Sequence, residues 1–282
     1  MYLAQLLLVG ILSGAVLSLV GVGFTLVLGV GKIANFAHGA LVGVGMYAGY
    51  SAAKYADINP YLLLIPAALV FAVVGWAVAE MFEWRGRKIG HIGELVVGLA
   101  LLLLINGALE VVFGADARTY SSVDIGSVKA FGLIIPATQI IAASFTFVVA
   151  FVAYLFIQQT RWGRALRAVA ENPNAAALHG IRVPIAQRVA VVASIVLAGL
   201  SGIIIAPFSV MTPDVGAGYL ISAFAVVIVG GVGNTLGAVA AGLGIGVINS
   251  LAAGYLSSVW TTLTPLLLLL LFLLVRPVKV QA

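Results

Sequence analysis

The chain has 282 residues, of which 63% are hydrophobic and 8% are charged, and its mean hydropathy is +1.20. Soluble domains carry about 25% charged residues, so this composition excludes a soluble protein and predicts that nearly all of the chain lies in lipid. The strands of a membrane β-barrel alternate apolar and polar residues, and the long apolar runs exclude that class. The predicted fold is an all-α, polytopic transmembrane helical bundle that forms a single domain over 1–282.

Stretches without charge divide the chain into nine candidate membrane segments. They cover roughly 5–30, 34–53, 61–80, 92–113, 133–157, 189–210, 219–234, 235–256 and 259–275. An upright crossing needs about 20 residues, and 219–234 is short and rich in glycine. Residues 219–256 fit either two crossings or a re-entrant hairpin entered from outside, so we expect eight to nine segments, some of them broken or re-entrant.

Two glycine-rich interruptions split long apolar stretches in the two halves of the chain. The first break (residues 29–39) reads GVGKIANFAHG and the second break (residues 230–237) reads GGVGNTLG. Backbone that leaves a helix at membrane depth must be buried in protein or line a cavity, and paired interruptions of this kind point to a transport pathway. For Lys32, a plain cytoplasmic turn between two helices fits equally well.

An arginine-rich stretch at residues 158–188 predicts the orientation. It holds five arginines and one acid, Glu171, between charge-free runs, and such an excess marks the cytoplasmic face. Alternating the segments from there puts eleven of the fourteen Lys and Arg residues on that face and three (Lys54, Arg118 and Lys129) outside. The N-terminus is then outside and the C-terminus cytoplasmic. This bias also explains the basic pI of about 9.6 without nucleic acid.

Residues that typically begin and end helices occur in the same stretch and predict a compact cytoplasmic protrusion. Asn172 suits an N-cap, Pro173 the first helical position and Gly180 a left-handed terminator. The short helix between them carries small apolar side chains, which allow another surface to approach closely. We expect the protrusion to dock a partner.

The residues of an enzyme are missing. The run 199–202, GLSG, is similar to the serine motif of intramembrane proteases, but all three histidines precede Ser201, whereas the base in that family lies on a later helix. Close helix packing explains the run better. The histidines are isolated, so no metal site is predicted, and Gly31-Lys32 lacks the remainder of a phosphate-binding loop. We therefore predict no catalytic residue and no bound cofactor.

Several polar residues fall inside apolar spans. They are Asn106, Glu110, Gln139, Asn249 and Ser250. A polar group in the bilayer is expensive unless it has a partner or a water-filled cavity. Interhelical hydrogen bonds are the simplest expectation for each of them.

Four motifs together resemble one family, the branched-chain amino-acid ABC transporter permeases. Residues 31–40 are similar to its "INFAHG" signature, 164–172 to its cytoplasmic loop, 174–180 to the E-A-A-x-x-x-G coupling element and 228–238 to a late "GGxGxxxGA" run. The similarity extends from about Leu6 to Arg276. Two positions depart from the pattern: Ala34 is inserted before Asn35, and Asn174 replaces the usual Glu, whose charge Glu171 can supply one turn earlier.

The resemblance implies the ABC importer permease fold and a role as one permease subunit in a bacterial-type inner (plasma) membrane. Its implied partners are a second permease, two ATPase subunits that hydrolyse ATP with Mg²⁺, and an extracytoplasmic substrate-binding protein. Stretch 158–188 would be the coupling loop. Its implied ATPase-coupling residues are Glu171, Asn172, Pro173, Asn174, Ala175, Ala176 and Gly180.

We expect four residues of the two breaks to lie near the translocation pathway, namely Asn35, His38, Asn234 and Thr235. A buried packing histidine remains an equal alternative for His38. Within the family that the chain resembles, some members transport leucine, isoleucine and valine, and others transport different amino acids, urea or short amides. Outside this family, a self-sufficient secondary transporter or channel is the alternative, although ionisable groups at mid-membrane are scarce. A non-transport scaffold fits the breaks poorly.

Overall fold

The computed structural model describes residues 2–33, 35–83, 90–119, 126–130, 133–257 and 259–275. Within these ranges the chain is almost entirely helical, as predicted. The α-helices are α1 (Tyr2–Leu26), α2 (Ala37–Ala56), α3 (Leu64–Met81), α4 (His91–Phe113), α5 (Ala137–Gln159), α6 (Arg161–Glu171), α7 (Pro173–Leu178), α8 (Val183–Ile205), α9 (Val215–Gly230), α10 (Thr235–Tyr255) and α11 (Trp260–Val275). A π-helical turn, Val27–Gly31, extends α1, and 3₁₀ turns precede α3 at Pro60–Leu63 and follow α8 at Ala206–Phe208.

Six helical stretches of the described ranges are long and apolar enough to cross a membrane. They are Tyr2–Gly31, Pro60–Met81, Ile92–Phe113, Ala137–Gln159, Val183–Phe208 and Thr235–Tyr255. Two further apolar helices, α9 and α11, have 16 residues each, which is short for an upright crossing. A polytopic helical bundle is therefore confirmed, whereas the count of eight to nine segments stays a prediction.

One predicted boundary is wrong, because a β-hairpin precedes α5. Strand β1 (Ser127–Ala130) pairs antiparallel with β2 (Leu133–Pro136), and Ala130 lies opposite Leu133. The apolar run that begins at residue 133 therefore enters a strand, and the helix starts only after Pro136, whose ψ of 124° is extended. A short apolar run cannot by itself distinguish a strand from a helix end.

The core is built by close contacts between small residues on neighbouring helices. α1 packs along α10, where a Cβ atom added to Gly246 would lie 2.2 Å from the Cα of Gly14. α8 packs against α2 in the same way, because a Cβ on Gly202 would lie 2.0 Å from the carbonyl oxygen of Val42. The 199–202 run thus serves close helix packing, as expected.

Three of the described cations make side-chain contacts near opposite ends of the bundle. At one end, Arg188 pairs with Glu83 at 2.5 Å. At the other, Lys54 and Arg118 both donate to the hydroxyl of Tyr50, at 2.7 and 3.1 Å. The latter bond raises the pKa of the Arg118 guanidinium. Because α2 has 20 residues, its two ends lie about 30 Å apart.

This arrangement separates Lys54 and Arg118 from Arg188, which is compatible with the predicted alternation of segments. The orientation itself stays a prediction. Five other cations of the predicted cytoplasmic face, Arg85, Arg87, Lys88, Arg276 and Lys279, lie outside the described residues, as does Ala34.

Candidate functional site

The first break is a well-defined turn at the end of α1. The π turn ends at Gly31, and Lys32 follows in the left-handed conformation with φ of 52°, its N–H donating to the carbonyl of Val27. Asn35 is fully buried, and its Oδ1 accepts a hydrogen bond of 3.1 Å from the N–H of Ala37 at the start of α2. Asn35 Nδ2 is also buried and has no acceptor within the described structure.

The second break contacts the first. Gly231 and Gly233 have φ values of 91° and 82°, which favour glycine. The N–H of Gly233 donates to the hydroxyl of Thr25 on α1 at 3.0 Å. A Cβ on Gly29 would lie 2.6 Å from the Cα of Gly233, so the two backbones touch.

Asn234 ends the second break by capping α10. Its Oδ1 accepts a hydrogen bond of 3.0 Å from the N–H of Gly237. Thr235 is then the first residue of the helix. Asn234 is exposed and Thr235 half-buried, so both lie at the surface of this end of the bundle.

The predicted coupling loop, residues 158–188, folds as its helix-capping residues predict. The Oδ1 atom of Asn172 accepts hydrogen bonds of 3.0 Å from the N–H groups of Asn174 and Ala175. Pro173 is the first residue of α7, and Gly180 follows the helix with φ of 80°. The expected N-cap, first-turn proline and glycine terminator are confirmed.

A second, small hydrophobic core joins the coupling loop to the first break. Its buried members are Val30, Leu166, Val169, Ala176, Ala186 and Ala190. Val30 belongs to the π turn, whereas the others come from α6, α7 and the start of α8. A displacement of the coupling loop must therefore move the first break or expose this apolar core.

A cavity of about 200 Å³, the break cavity, lies where the two breaks meet the predicted coupling loop. Both breaks, the end of α5 and helix α6 line it. Its lining includes Thr25, Val30, Gln158, Arg167, Asn234 and Thr235. Two of the four predicted pathway residues, Asn234 and Thr235, are thus brought together beside the coupling loop.

The other two pathway residues, Asn35 and His38, are fully buried at the start of α2. The Nε2 atom of His38 lies 3.1 Å from the carbonyl oxygen of Val20 and its Nδ1 atom 3.0 Å from the hydroxyl of Ser194. Because a carbonyl only accepts, Nε2 carries the proton and Nδ1 accepts from Ser194. Neither Asn35 nor His38 lines the break cavity.

The predicted coupling residues do not share one surface. Glu171, Asn172, Asn174, Ala175 and Gly180 are exposed and Pro173 is half-buried. Ala176 faces the small core and is 4% exposed. Leu178, which sequence reasoning did not single out, is 89% exposed. The available signal was a large apolar residue two positions before the glycine that ends the protrusion.

A larger cavity of about 540 Å³, the large cavity, lies among α1, α9, α10, α11 and the turn after α8. It contains no residue predicted for the site. Its polar lining comes from Ser13, Tyr219, Ser222, Asn249, Thr261 and Thr262. Ser250, beside it in sequence, instead donates to the carbonyl of Leu6 at 2.7 Å, which is the expected interhelical hydrogen bond.

No group of three or more His, Cys, Asp or Glu residues within the described ranges could hold a metal ion. Polar groups of the two cavities are instead hydroxyls, amides and one guanidinium. Such groups can donate or accept hydrogen bonds.

Comparison with known protein families identifies the family of the chain. The family model described as "Branched-chain amino acid transport system / permease component" matches residues 6–275. This chain belongs to that family. The permease is a multi-pass inner-membrane protein, a transport subunit and one component of an ABC transporter system.

Individual relatives support the assignment. The high-affinity branched-chain amino acid transport system permease protein LivH of Salmonella typhimurium is 27% identical over 98% of the permease and 94% of its own length. A probable branched-chain amino acid transport permease protein LivH of Methanocaldococcus jannaschii is 31% identical over 89% of the permease and 83% of its own length. The fructose import permease protein FruG of Bifidobacterium longum is 25% identical over 93% of the permease and 79% of its own length.

Proposed function

We propose that the permease forms, with a second homologous permease, the pathway of an ABC importer for branched-chain amino acids. The observation that carries this proposal is the core shared by the coupling loop and the first break, in which Val30 packs with Leu166 and Ala176. An external motor that pushes on the loop acts directly on the broken helix. A stand-alone carrier has no evident need for this connection.

One of the two ATPase subunits, in this proposal, docks on the exposed face of α7. That face presents Asn174, Ala175 and Leu178, while Glu171 provides the nearby negative charge. Ala176 faces the bundle and anchors the protrusion. ATP binding and hydrolysis occur in the partner subunits and are transmitted as a rigid-body displacement of the loop.

The solute path, in this proposal, passes the two breaks. Asn234 and Thr235 face the break cavity, at the side where the coupling loop lies. Asn35 and His38 support the turn behind it, with Asn35 Nδ2 as a spare donor. The N-terminus is extracytoplasmic, the C-terminus cytoplasmic, and eight to nine segments enter the membrane. An extracytoplasmic binding protein delivers the solute to the opposite face.

Branched-chain amino acids are the favoured substrates, because six relatives of 27–31% identity carry that substrate in their names. Urea and short amides are the alternative substrates for a permease of the same family. A stand-alone secondary transporter is the alternative outside it.

Reconstitution tests the proposal. The permease, a second permease, the two ATPases and a binding protein are placed in proteoliposomes, and uptake of labelled leucine, isoleucine, valine and urea is measured with and without ATP. We expect ATP-dependent uptake of the three amino acids. Uptake driven by a proton or sodium gradient without the ATPases would instead establish a secondary transporter.

A further inference from the structure

Lys54 and Arg118 form a pair of cations, the cation pair, around a single hydroxyl group. The Nζ atom of Lys54 and the Nη1 atom of Arg118 both donate to the hydroxyl of Tyr50, at 2.7 and 3.1 Å. Two positive charges therefore lie side by side, and like charges repel. A protonated phenol accepts both hydrogen bonds without supplying a negative charge.

The exposed acids at this end of the bundle do not neutralise the cation pair. They are Asp57, Asp116 and Asp214, all of them outside the helices. Within the described residues, none of the three forms an ion pair or a side-chain hydrogen bond with Lys54 or Arg118. The described part of the chain thus leaves the two cations without an anionic partner.

The cation pair has spare donors, and the acceptors beside it are already in use. Lys54 has three ammonium hydrogens and gives one to Tyr50. Arg118 gives one hydrogen of Nη1 to Tyr50 and one of Nη2 to the carbonyl of Phe113, so each of these nitrogens keeps a second hydrogen. The Nε atom of Arg118 is enclosed by the protein and is out of reach of a ligand. A ligand for this pair must accept hydrogen bonds and carry negative charge.

Contacts with the rest of the fold hold the cation pair in a fixed place. Arg118 exchanges two backbone hydrogen bonds of 2.8 Å with Met211, and its guanidinium lies 5.7 Å from the ring centroid of Tyr50. The ammonium of Lys54 lies 5.2 Å from the same centroid. Side chains that are already ordered lose little conformational entropy when a ligand binds.

An exposed apolar surface adjoins the cation pair. Phe113, whose carbonyl binds Arg118, ends α4, which is the least buried of the six long apolar stretches. Val111 and Val112 in its last turn are 88% and 72% exposed. Tyr55 is also exposed, and its ring centroid lies 5.7 Å from the Lys54 ammonium. Tyrosine is enriched where the membrane meets water, so the cations lie at headgroup level above a surface suited to hydrocarbon.

This combination favours a phospholipid over other anions. A soluble anion would use the cations and leave Val111 and Val112 uncovered, whereas a phospholipid joins a phosphate to hydrocarbon chains. Phosphate oxygens form strong, charge-assisted hydrogen bonds with guanidinium and ammonium groups. A zwitterionic headgroup also carries a cation, which the two cations repel, so the pair favours a lipid with net negative charge.

We propose that Lys54 and Arg118 bind the phosphate of an anionic phospholipid whose acyl chain lies on the exposed face of α4. The phosphate oxygens accept from Lys54 Nζ and from the terminal nitrogens of Arg118, and the chain covers Val111 and Val112. This site lies apart from the two breaks and does not depend on the proposed function.

Quenching of a fluorescent label by brominated lipids tests the site. The permease has no cysteine, so Val112→Cys places one thiol on the proposed chain-binding face. Val73→Cys on α3 is the matched control, because Val73 is also 72% exposed. The assembled transporter carrying a bimane label is reconstituted with brominated phosphatidylglycerol or brominated phosphatidylcholine. The ratio of quenching gives the relative affinity of the two lipids at each position.

We expect phosphatidylglycerol to be favoured about tenfold at Val112, as for one net charge-assisted hydrogen bond, and not to be favoured at Val73. Lys54→Gln and Arg118→Gln should each reduce the preference at Val112 to near one, and Lys54→Arg should keep it. Lys129→Gln removes the same charge from strand β1 and should leave the preference unchanged. If Arg118→Gln fails to assemble, Lys54→Gln decides, because Lys54 is exposed.

Three lipid results would overturn the proposal. They are equal binding of the two lipids at Val112, an equal preference at Val73, and an equal loss with Lys129→Gln and Lys54→Gln. Quenching at Val73 without quenching at Val112 would show that another protein covers this face of α4, and would also overturn it. Loss of the preference in inorganic phosphate, but not in chloride of equal ionic strength, would assign the cations to a soluble anion instead.

Discussion

At the scale of single residues, two side chains of the short helix α7 have opposite surroundings. Ala176 is 4% exposed and packs into the small core, whereas Leu178 is 89% exposed. A large apolar side chain at the tip of a short protrusion is well placed to enter a groove on a partner. In the proposed docking, the face that meets the ATPase therefore centres on Ala175 and Leu178, and Ala176 belongs to the fold.

Leu178→Glu should separate docking from folding. We expect the variant to reach the membrane at the normal level and to lose most ATPase co-purification, because a carboxylate replaces the apolar contact. Ala176→Glu should instead reduce the amount of folded permease, since it buries a charge. Normal co-purification of Leu178→Glu with the ATPases would exclude the docking role.

Both ring nitrogens of His38 have hydrogen-bond partners on neighbouring helices. Its ring contacts Ser194 on α8 and the carbonyl of Val20 on α1, and it lies 5.2 Å from the ring centroid of Phe24. Three helices thus meet at one side chain. These contacts agree with the packing role that the sequence left open, whereas a direct role in transport stays a prediction.

Stability and uptake can be measured together to distinguish the two roles. His38→Ala should lower the free energy of unfolding by about 2–5 kcal/mol, because it leaves a cavity and two unpaired polar groups. A purely packing role predicts unchanged leucine uptake per folded molecule. Altered substrate preference in His38→Ala or in Asn35→Ala, at equal amounts of folded protein, would support the pathway assignment.

At the scale of elements, the short helix α7 of the predicted coupling loop is stabilised by its N-cap, Asn172. Helix α7 has six residues, too few to be stable alone, so Asn172 and the contact of Ala176 hold it in place. Helix α6 is similarly fixed by Leu166 and Val169. All of these contacts share one small core with Val30, so the loop is packed directly against the first break.

Removing the cap should loosen the coupling loop locally. Asn172→Ala is expected to destabilise α7 by about 0.5–2 kcal/mol and to weaken ATPase association at unchanged membrane levels. Asn172→Ser restores a capping oxygen and should recover most of the association. A serine variant as defective as the alanine variant would show that Asn172 acts through something other than its cap.

At the scale of the whole molecule, charge sidedness agrees with the packing. Lys54 and Arg118 meet at Tyr50 in the last third of α2, whereas Arg188 pairs with Glu83 beside Ile33, which precedes that helix. Arg118 also exchanges backbone hydrogen bonds of 2.8 Å with Met211, which fixes the loop after α4 to the segment before α9. These contacts are compatible with the predicted alternation, and the orientation stays a prediction.

Labelling from one side of the membrane tests the orientation. Because the chain lacks cysteine, Ala175→Cys and Tyr55→Cys each carry one thiol, and both positions are exposed. A membrane-impermeant maleimide added to intact cells should label Tyr55→Cys and spare Ala175→Cys until the cells are opened. The reverse pattern would invert the topology and remove the proposed coupling mechanism.

The sequence by itself determined the features that depend on neighbouring residues. Hydrocarbon requires apolar helices, so the bundle and its approximate segment boundaries follow from composition. Caps and terminators act within a few residues, so Asn172, Pro173 and Gly180 were correctly predicted. The strand at Leu133–Pro136 was missed because its apolar run has no period that separates strand from helix.

Only the tertiary structure decided which distant residues meet. The bond between Thr25 and Gly233 joins positions 208 residues apart, and a local pattern carries no information about such a contact. The same holds for the burial of Ala176, the exposure of Leu178 and the five-element lining of the large cavity. Helix packing sets all of these, because small residues let particular pairs of backbones approach and so decide which side chains face a shared space.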